Sequence, residues 1–152
     1  MELNVSNAEM VVMRVIWSLG SAKVEDVVRQ VADRQDWSLA TIKTLLGRLV
    51  KKGMLTTTKE GRCFIYQPTV EECDALQSMT QELLDKVCAT KQVQLLEDMV
   101  TASKLTAADV SRLVEKLSSK ETLESIECTC LTKFGHGDCK HMHEDALLAV
   151  VK

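Results

Sequence analysis

The sequence predicts a mainly α-helical chain with one small β-hairpin, ordered as a winged helix-turn-helix followed by further helices. Three observations predict it. Aromatic residues make up only 3% of the 152 residues, with one proline and six glycines. That suits an aliphatic helical core and leaves too little punctuation for an all-β fold. Apolar residues recur at helical spacing through most of the chain. Between Leu55 and Gln67 the period changes to that of two short strands.

The first helix is expected at about 8–19, where Val11, Val12, Val15, Ile16 and Leu19 share a face, Ser6 offers an N-cap and Gly20 a stop. A second helix at about 23–34 carries Val24, Val27, Val28 and Val31 on one side. Ser38 is suited to cap a third, about 39–52, whose apolar stripe is Ile42, Leu45, Leu46, Leu49 and Val50, with Gly53 placed for a left-handed C-cap. The β-branched run from Leu55 to Lys59 reads as a strand, Glu60, Gly61 and Arg62 as a turn, and Cys63 to Gln67 as a second strand closed by Pro68.

Helical periodicity then resumes. Val70, Cys73, Leu76, Met79, Leu83 and Val87 form one stripe, Val93, Leu96, Met99 and Val100 a second, and Val110, Leu113, Val114 and Leu117 a third behind a near capping box at Thr106 and Asp109. Each stripe is thin and would stay wet on a lone chain, so pairing with a second copy into a symmetric dimer is expected. The resulting plan is a DNA-binding domain at 1–68, a helical dimerisation region at 69–120 and a Cys/His tail at 121–152.

The net charge is -3, yet residues 38–62 hold Lys43, Arg48, Lys51, Lys52, Lys59 and Arg62 against one acid, Glu60. A polyanion responds to that local field more than to the total. On the third helix Thr41, Thr44, Arg48 and Lys51 lie opposite the apolar stripe, with Lys43 and Lys52 flanking them and Ser38 at the head. Short hydroxyl and methyl groups suit thymine edges in the major groove, and Arg or Lys suits guanine and phosphate. Lys59 and Arg62 fall at the hairpin tip, placed for the backbone or the minor groove.

All three histidines and three of the six cysteines fall between Cys128 and His143. Thiolate and imidazole bind soft and borderline metals, and a hydrophobic core does not ask for both together. Cys128, Cys130, Cys139 and His141 would give Zn(II) a tetrahedron, with His136 and His143 as alternative ligands. Cu(I) is satisfied by two or three thiolates. Cys63, Cys73 and Cys88 sit in apolar patterns and are expected to be buried as small hydrophobes. The opening lacks the pattern of a signal peptide, and the longest apolar run, Ala146 to Val151, is too short to span a bilayer, so a cytoplasmic, membrane-free protein with reduced thiols is expected.

The run from Trp37 to Gly53 (WSLATIKTLLGRLVKKG), the segment Glu9 to Trp17, the hairpin end Tyr66 to Pro68 and the segment Leu105 to Leu117 resemble the penicillinase-repressor family of BlaI, MecI and CopY. The resemblance covers residues 4 to about 118. It implies a dimeric winged-helix repressor, not an enzyme, whose recognition helix carries the Thr-x-x-Thr matched by Thr41 and Thr44. The cysteine-bearing tail resembles the copper-responsive CopY branch, which implies release from a palindromic operator when Cu(I) binds, with Zn(II) displaced and a copper chaperone as a possible donor. That branch carries two Cys-x-Cys pairs four residues apart. Here the gap is longer and the second half is Cys139-x-His141, so a two-copper cluster on four thiolates would need the partner chain or Cys73 or Cys88. Three alternatives stay open on the sequence: a β-lactam-responsive repressor inactivated by proteolysis, a thiol redox regulator, and a metal chaperone or buffer.

Overall fold

The computed structural model describes residues 3–131 and divides into two compact units, Met1–Gln81 and Glu82–Lys152. The first unit opens with α1 (Asn7–Leu19), α2 (Val24–Val31) and α3 (Leu39–Lys51), followed by β1 (Leu55–Glu60) and β2 (Cys63–Pro68). The winged helix-turn-helix expected from the sequence is therefore present, with helix ends close to those expected.

Local chemistry sets those ends. The Ser6 hydroxyl accepts from the Glu9 amide at 3.2 Å, while the Ser6 amide donates to Glu9 Oε2 at 2.8 Å, a complete capping box. At the other end Gly20 takes φ 76°, and its amide reaches back to the Ile16 carbonyl. Ser38 caps α3 by accepting from the Thr41 amide at 3.1 Å. Gly53, also at φ 76°, ends it and turns the chain into β1.

The strands pair antiparallel from Leu55↔Pro68 to Glu60↔Cys63, which leaves Gly61 and Arg62 as a two-residue turn. Gly61 has φ 61°, as the first central position of a type II′ turn requires, and among the described residues no non-glycine residue has positive φ. The hairpin gains a third, minimal partner where the Ala22 and Tyr66 backbones exchange hydrogen bonds of 3.0 and 2.8 Å.

The core lies among the three helices and the base of the hairpin. Val12, Met13, Ile16, Val27, Ile42, Leu46 and Leu49 are fully enclosed, each worth about 1.5–3 kcal/mol of transfer free energy. The unit does not stop at Pro68. Trp17 Nε1 donates to the Val70 carbonyl at 2.8 Å, and Ala75 at the start of α4 (Glu72–Lys86) is buried in the same cluster.

Beyond Gln81 the chain finishes α4, passes through a single 3-10 turn at Ala89–Lys91, and forms α5 (Gln92–Ala102) and α6 (Ala107–Ser118). Thr106 and Asp109 form the expected capping box, with Asp tolerated in the Glu position. No residue of α5 or α6 is buried, and Val93, Leu96, Met99, Val110, Leu113 and Leu117 are exposed. No helix among the described residues is long and apolar enough to cross a membrane.

Candidate nucleic-acid interface and metal centre

α3 is two-faced. Ile42, Leu45, Leu46 and Leu49 enter the core, and Thr41, Lys43, Thr44, Arg48 and Lys51 are exposed on the rest of the cylinder. At its head the Ser38 and Thr41 hydroxyls lie 3.0 Å apart, so the cap also fixes the Thr41 side chain. Thr44 donates its hydroxyl proton to the Ala40 carbonyl at 2.9 Å. What it retains for a ligand is an oxygen acceptor and a methyl group, the pair that suits a thymine edge.

Lys59 and Arg62 are exposed on the hairpin. Arg62 and Lys43 line one shallow groove with Val24, Glu25, Cys63, Phe64 and Tyr66, so the hairpin and α3 present cations to the same side of the unit. The single acid of this segment, Glu60, pairs with Lys23 at 3.2 Å. That hydrogen bond and the Glu60 charge raise the Lys23 pKa, and the pairing removes the acid from opposition to its basic neighbours.

Lys52 differs from the other cations named from the sequence. Its ammonium donates to Glu9 Oε2 at 2.7 Å and to the Asn4 carbonyl at 2.6 Å. Glu9 is almost wholly buried, and burial pushes its pKa up. The bond to Lys52, the Ser6 amide and the Lys52 charge outweigh that push, and the carboxyl is held below its usual range. Lys52 thus holds the end of α3 to the start of α1, a role that the basic run did not reveal.

In the second unit Cys88, Cys128 and Cys130 come together, with their sulfurs all within 4.8 Å of one another. Cys88 Sγ and Cys128 Sγ are 3.4 Å apart. Three thiolates around one ion at about 2.3 Å stand about 4 Å apart, so the donor set fits Zn(II) or Cu(I) both in chemistry and in spacing. The Thr90 hydroxyl, 3.2 Å away, is the main cause that draws the Cys88 thiol well below its ordinary pKa, against the opposing push of burial. Cys130 is held up by its hydrogen bonds to Cys88 and then Cys128. Metal binding needs thiolates, and a bound cation would supply what is needed to expel the protons that the sulfurs carry.

The cluster corrects one expectation and extends another. Of the three cysteines expected as buried hydrophobes, Cys73 is exposed, Cys63 half-buried and Cys88 part of the thiol cluster. Cys88 was hidden because its apolar neighbours in sequence look like a core stripe, and only the meeting with Cys128 forty residues later exposes its role. Cys128 and Cys130 do lie together, whereas Cys139, His141, His136 and His143 fall outside the described residues.

A two-faced basic helix, a cationic hairpin beside it and an enclosed three-helix core define a winged-helix DNA-binding protein. The chain belongs to the penicillinase-repressor family, whose model matches residues 5–119. It is a DNA-binding transcriptional repressor, not an enzyme. The match ends short of Cys128, so two of the three cluster cysteines lie beyond the shared region. It is similar to a 16.5 kDa protein of Latilactobacillus sakei from the ptsI 3′ region, at 40% identity over 84% of this chain and 88% of that one. The penicillinase repressor of Bacillus licheniformis is 31% identical over 74% of this chain and 88% of its own. Among solved structures, that of the CopR repressor is 64% identical over 45% of this chain and all of its own, with a TM-score of 0.40.

Proposed function

We propose that this repressor senses copper: a homodimer holds a palindromic operator, and Cu(I) bound by its C-terminal cysteines, displacing Zn(II), releases it. The observation that carries the proposal is the trio of sulfurs at Cys88, Cys128 and Cys130, a soft donor set with no role in enclosing the core of the DNA-binding unit. In the copper-free state the tail supplies the fourth ligand of a Zn(II) site, Cys139 or His141, with His136 and His143 as substitutes. A thiol-bearing copper chaperone is the natural donor, since Cu(I) passes between thiolates without being freed. Operator DNA places the protein in the cytoplasm.

Dimerisation is supported by the uncovered apolar faces of α5 and α6, which a second copy would bury. On the DNA side Ser38, Thr41 and Thr44 face base edges, Arg48 takes guanine or phosphate, and Lys43, Lys51, Lys59 and Arg62 hold the backbone. Lys52 contributes there only the charge that Glu9 leaves over.

Release follows from linkage. A hundred-fold loss of operator affinity requires Cu(I) to favour the non-binding arrangement by about 2.7 kcal/mol, which a few metal–thiolate bonds of different geometry can supply. The test is an operator gel shift titrated with Cu(I) and with Zn(II). Wild type should lose the operator with Cu(I) alone, and the Cys128→Ser/Cys130→Ser double variant should bind DNA normally and stay bound. A double variant that still lets go on copper addition would disprove the sensor assignment.

A further inference from the structure

Cys88 lies at the joint between α4 and α5, and one backbone contact besides the sulfurs brings the Cys128–Cys130 loop against it. The Ala89 amide donates to the Thr129 hydroxyl at 3.4 Å. Within the loop the Cys130 amide donates to Cys128 Sγ, also at 3.4 Å, which fixes the two cysteines on one side of the loop. Cys128 is 1% exposed, the one buried side chain among the described residues of this unit, whereas Cys130 remains open to an arriving ion. A buried thiol in a half otherwise without buried side chains calls for a local reason, and the neighbouring sulfurs provide it.

We infer that Cys88 is a ligand sulfur and that Cys88, Cys128 and Cys130 together form a three-thiolate Cu(I) site, an inference that rests on the copper response proposed above and names its ligands. Three soft donors satisfy Cu(I), while Zn(II) still lacks a fourth. The two metals therefore make different demands on the rest of the tail. Zn(II) recruits a donor from beyond Leu131, and Cu(I) closes the site with the trio and lets that donor go. Because one ligand belongs to the α4–α5 joint, the ion also ties the loop to the helices whose apolar faces are uncovered. A site built from the tail alone would have no hold on that joint.

The experiment uses the full-length reduced protein without oxygen. Cu(I) affinity is measured by competition with a chelator, and the number of sulfurs on copper is read by X-ray absorption. Outer-shell partners alone are worth about 10- to 100-fold in metal affinity, so Cys88→Ser should weaken Cu(I) by at least about ten-fold and remove one sulfur from its shell. Cys73→Ser, an exposed thiol outside the trio, should change neither. In unmutated protein one equivalent of Cu(I) should protect Cys88, Cys128 and Cys130 from alkylation and leave Cys73 reactive. An unchanged affinity and sulfur count in Cys88→Ser, or a Cys88 that alkylates at the metal-free rate in the copper-loaded protein, would overturn the assignment. Failure of copper to release wild-type protein from the operator would instead overturn the functional proposal, and the sulfur count would still decide the ligand.

Discussion

Between Leu3 and Ala75 the chain buries fourteen apolar side chains in one cluster, whereas α5 and α6 bury none. Both regions carry clean helical periodicity, so amphipathicity alone does not distinguish them. The first region has three helices and a hairpin to close over one another. The second leaves Leu96, Met99, Val110 and Leu113 facing solvent on the isolated chain. The difference teaches that helical periodicity by itself does not close a core: one half encloses its apolar faces within the chain, and the other leaves those of α5 and α6 uncovered.

Truncating the core should separate the two halves most sharply. Leu46→Ala, at a fully enclosed site, should lower the stability of the first unit by about 2–5 kcal/mol in urea unfolding. Leu113→Asp, at a site 37% exposed, should barely change the stability of an isolated chain and should shift sedimentation from dimer toward monomer. Equal losses of stability at both sites with no change in mass would mean that α6 packs within its own chain.

Next in size is the link between Glu9 and Lys52. Lys52→Ala strands a buried carboxylate, and because Lys52 itself is over a third exposed the cost is set near 1–3 kcal/mol, not at the full Coulomb value. The pH dependence has a definite sign. The folded pKa of Glu9 lies below the ordinary 4.5, so the pairing contributes fully above that value and is lost as pH falls through the depressed one. Unfolding measured between neutral and acid pH should show this loss in wild type, and Glu9→Gln should flatten it. An acid limb that is identical in the two proteins would remove Glu9 from the account.

The smallest effect belongs to the second half. Thr106→Ala removes the hydroxyl that caps α6 and accepts from the Asp109 amide at 3.2 Å, and should cost about 1 kcal/mol in helix stability. Circular dichroism followed through thermal unfolding should show that loss, and an unchanged profile would mean that the cap does not hold α6.

Much of this was legible along the chain. The capping boxes at Ser6 and Thr106, the Ser38 cap, the stops at Gly20 and Gly53 and the turn at Gly61 and Arg62 are all set by residues within a few positions of one another. Thr41, Thr44 and Arg48 could be placed on the outer face of α3 because Ile42, Leu45 and Leu49 had to be on the inner one. Lys52 and Cys88 were not legible in this way. Each sits in a stretch whose own pattern suggested something else, a basic run for one and an apolar stripe for the other.

Sequence by itself determined the order of elements and the faces of the helices, because each depends on short-range periodicity or on the chemistry of a single side chain. Only the tertiary structure decided that Lys52 pairs with Glu9 across 43 positions and that Cys88 joins Cys128 across 40. Such meetings depend on how whole elements pack, and no local pattern records the distance between atoms that the chain brings together from so far apart.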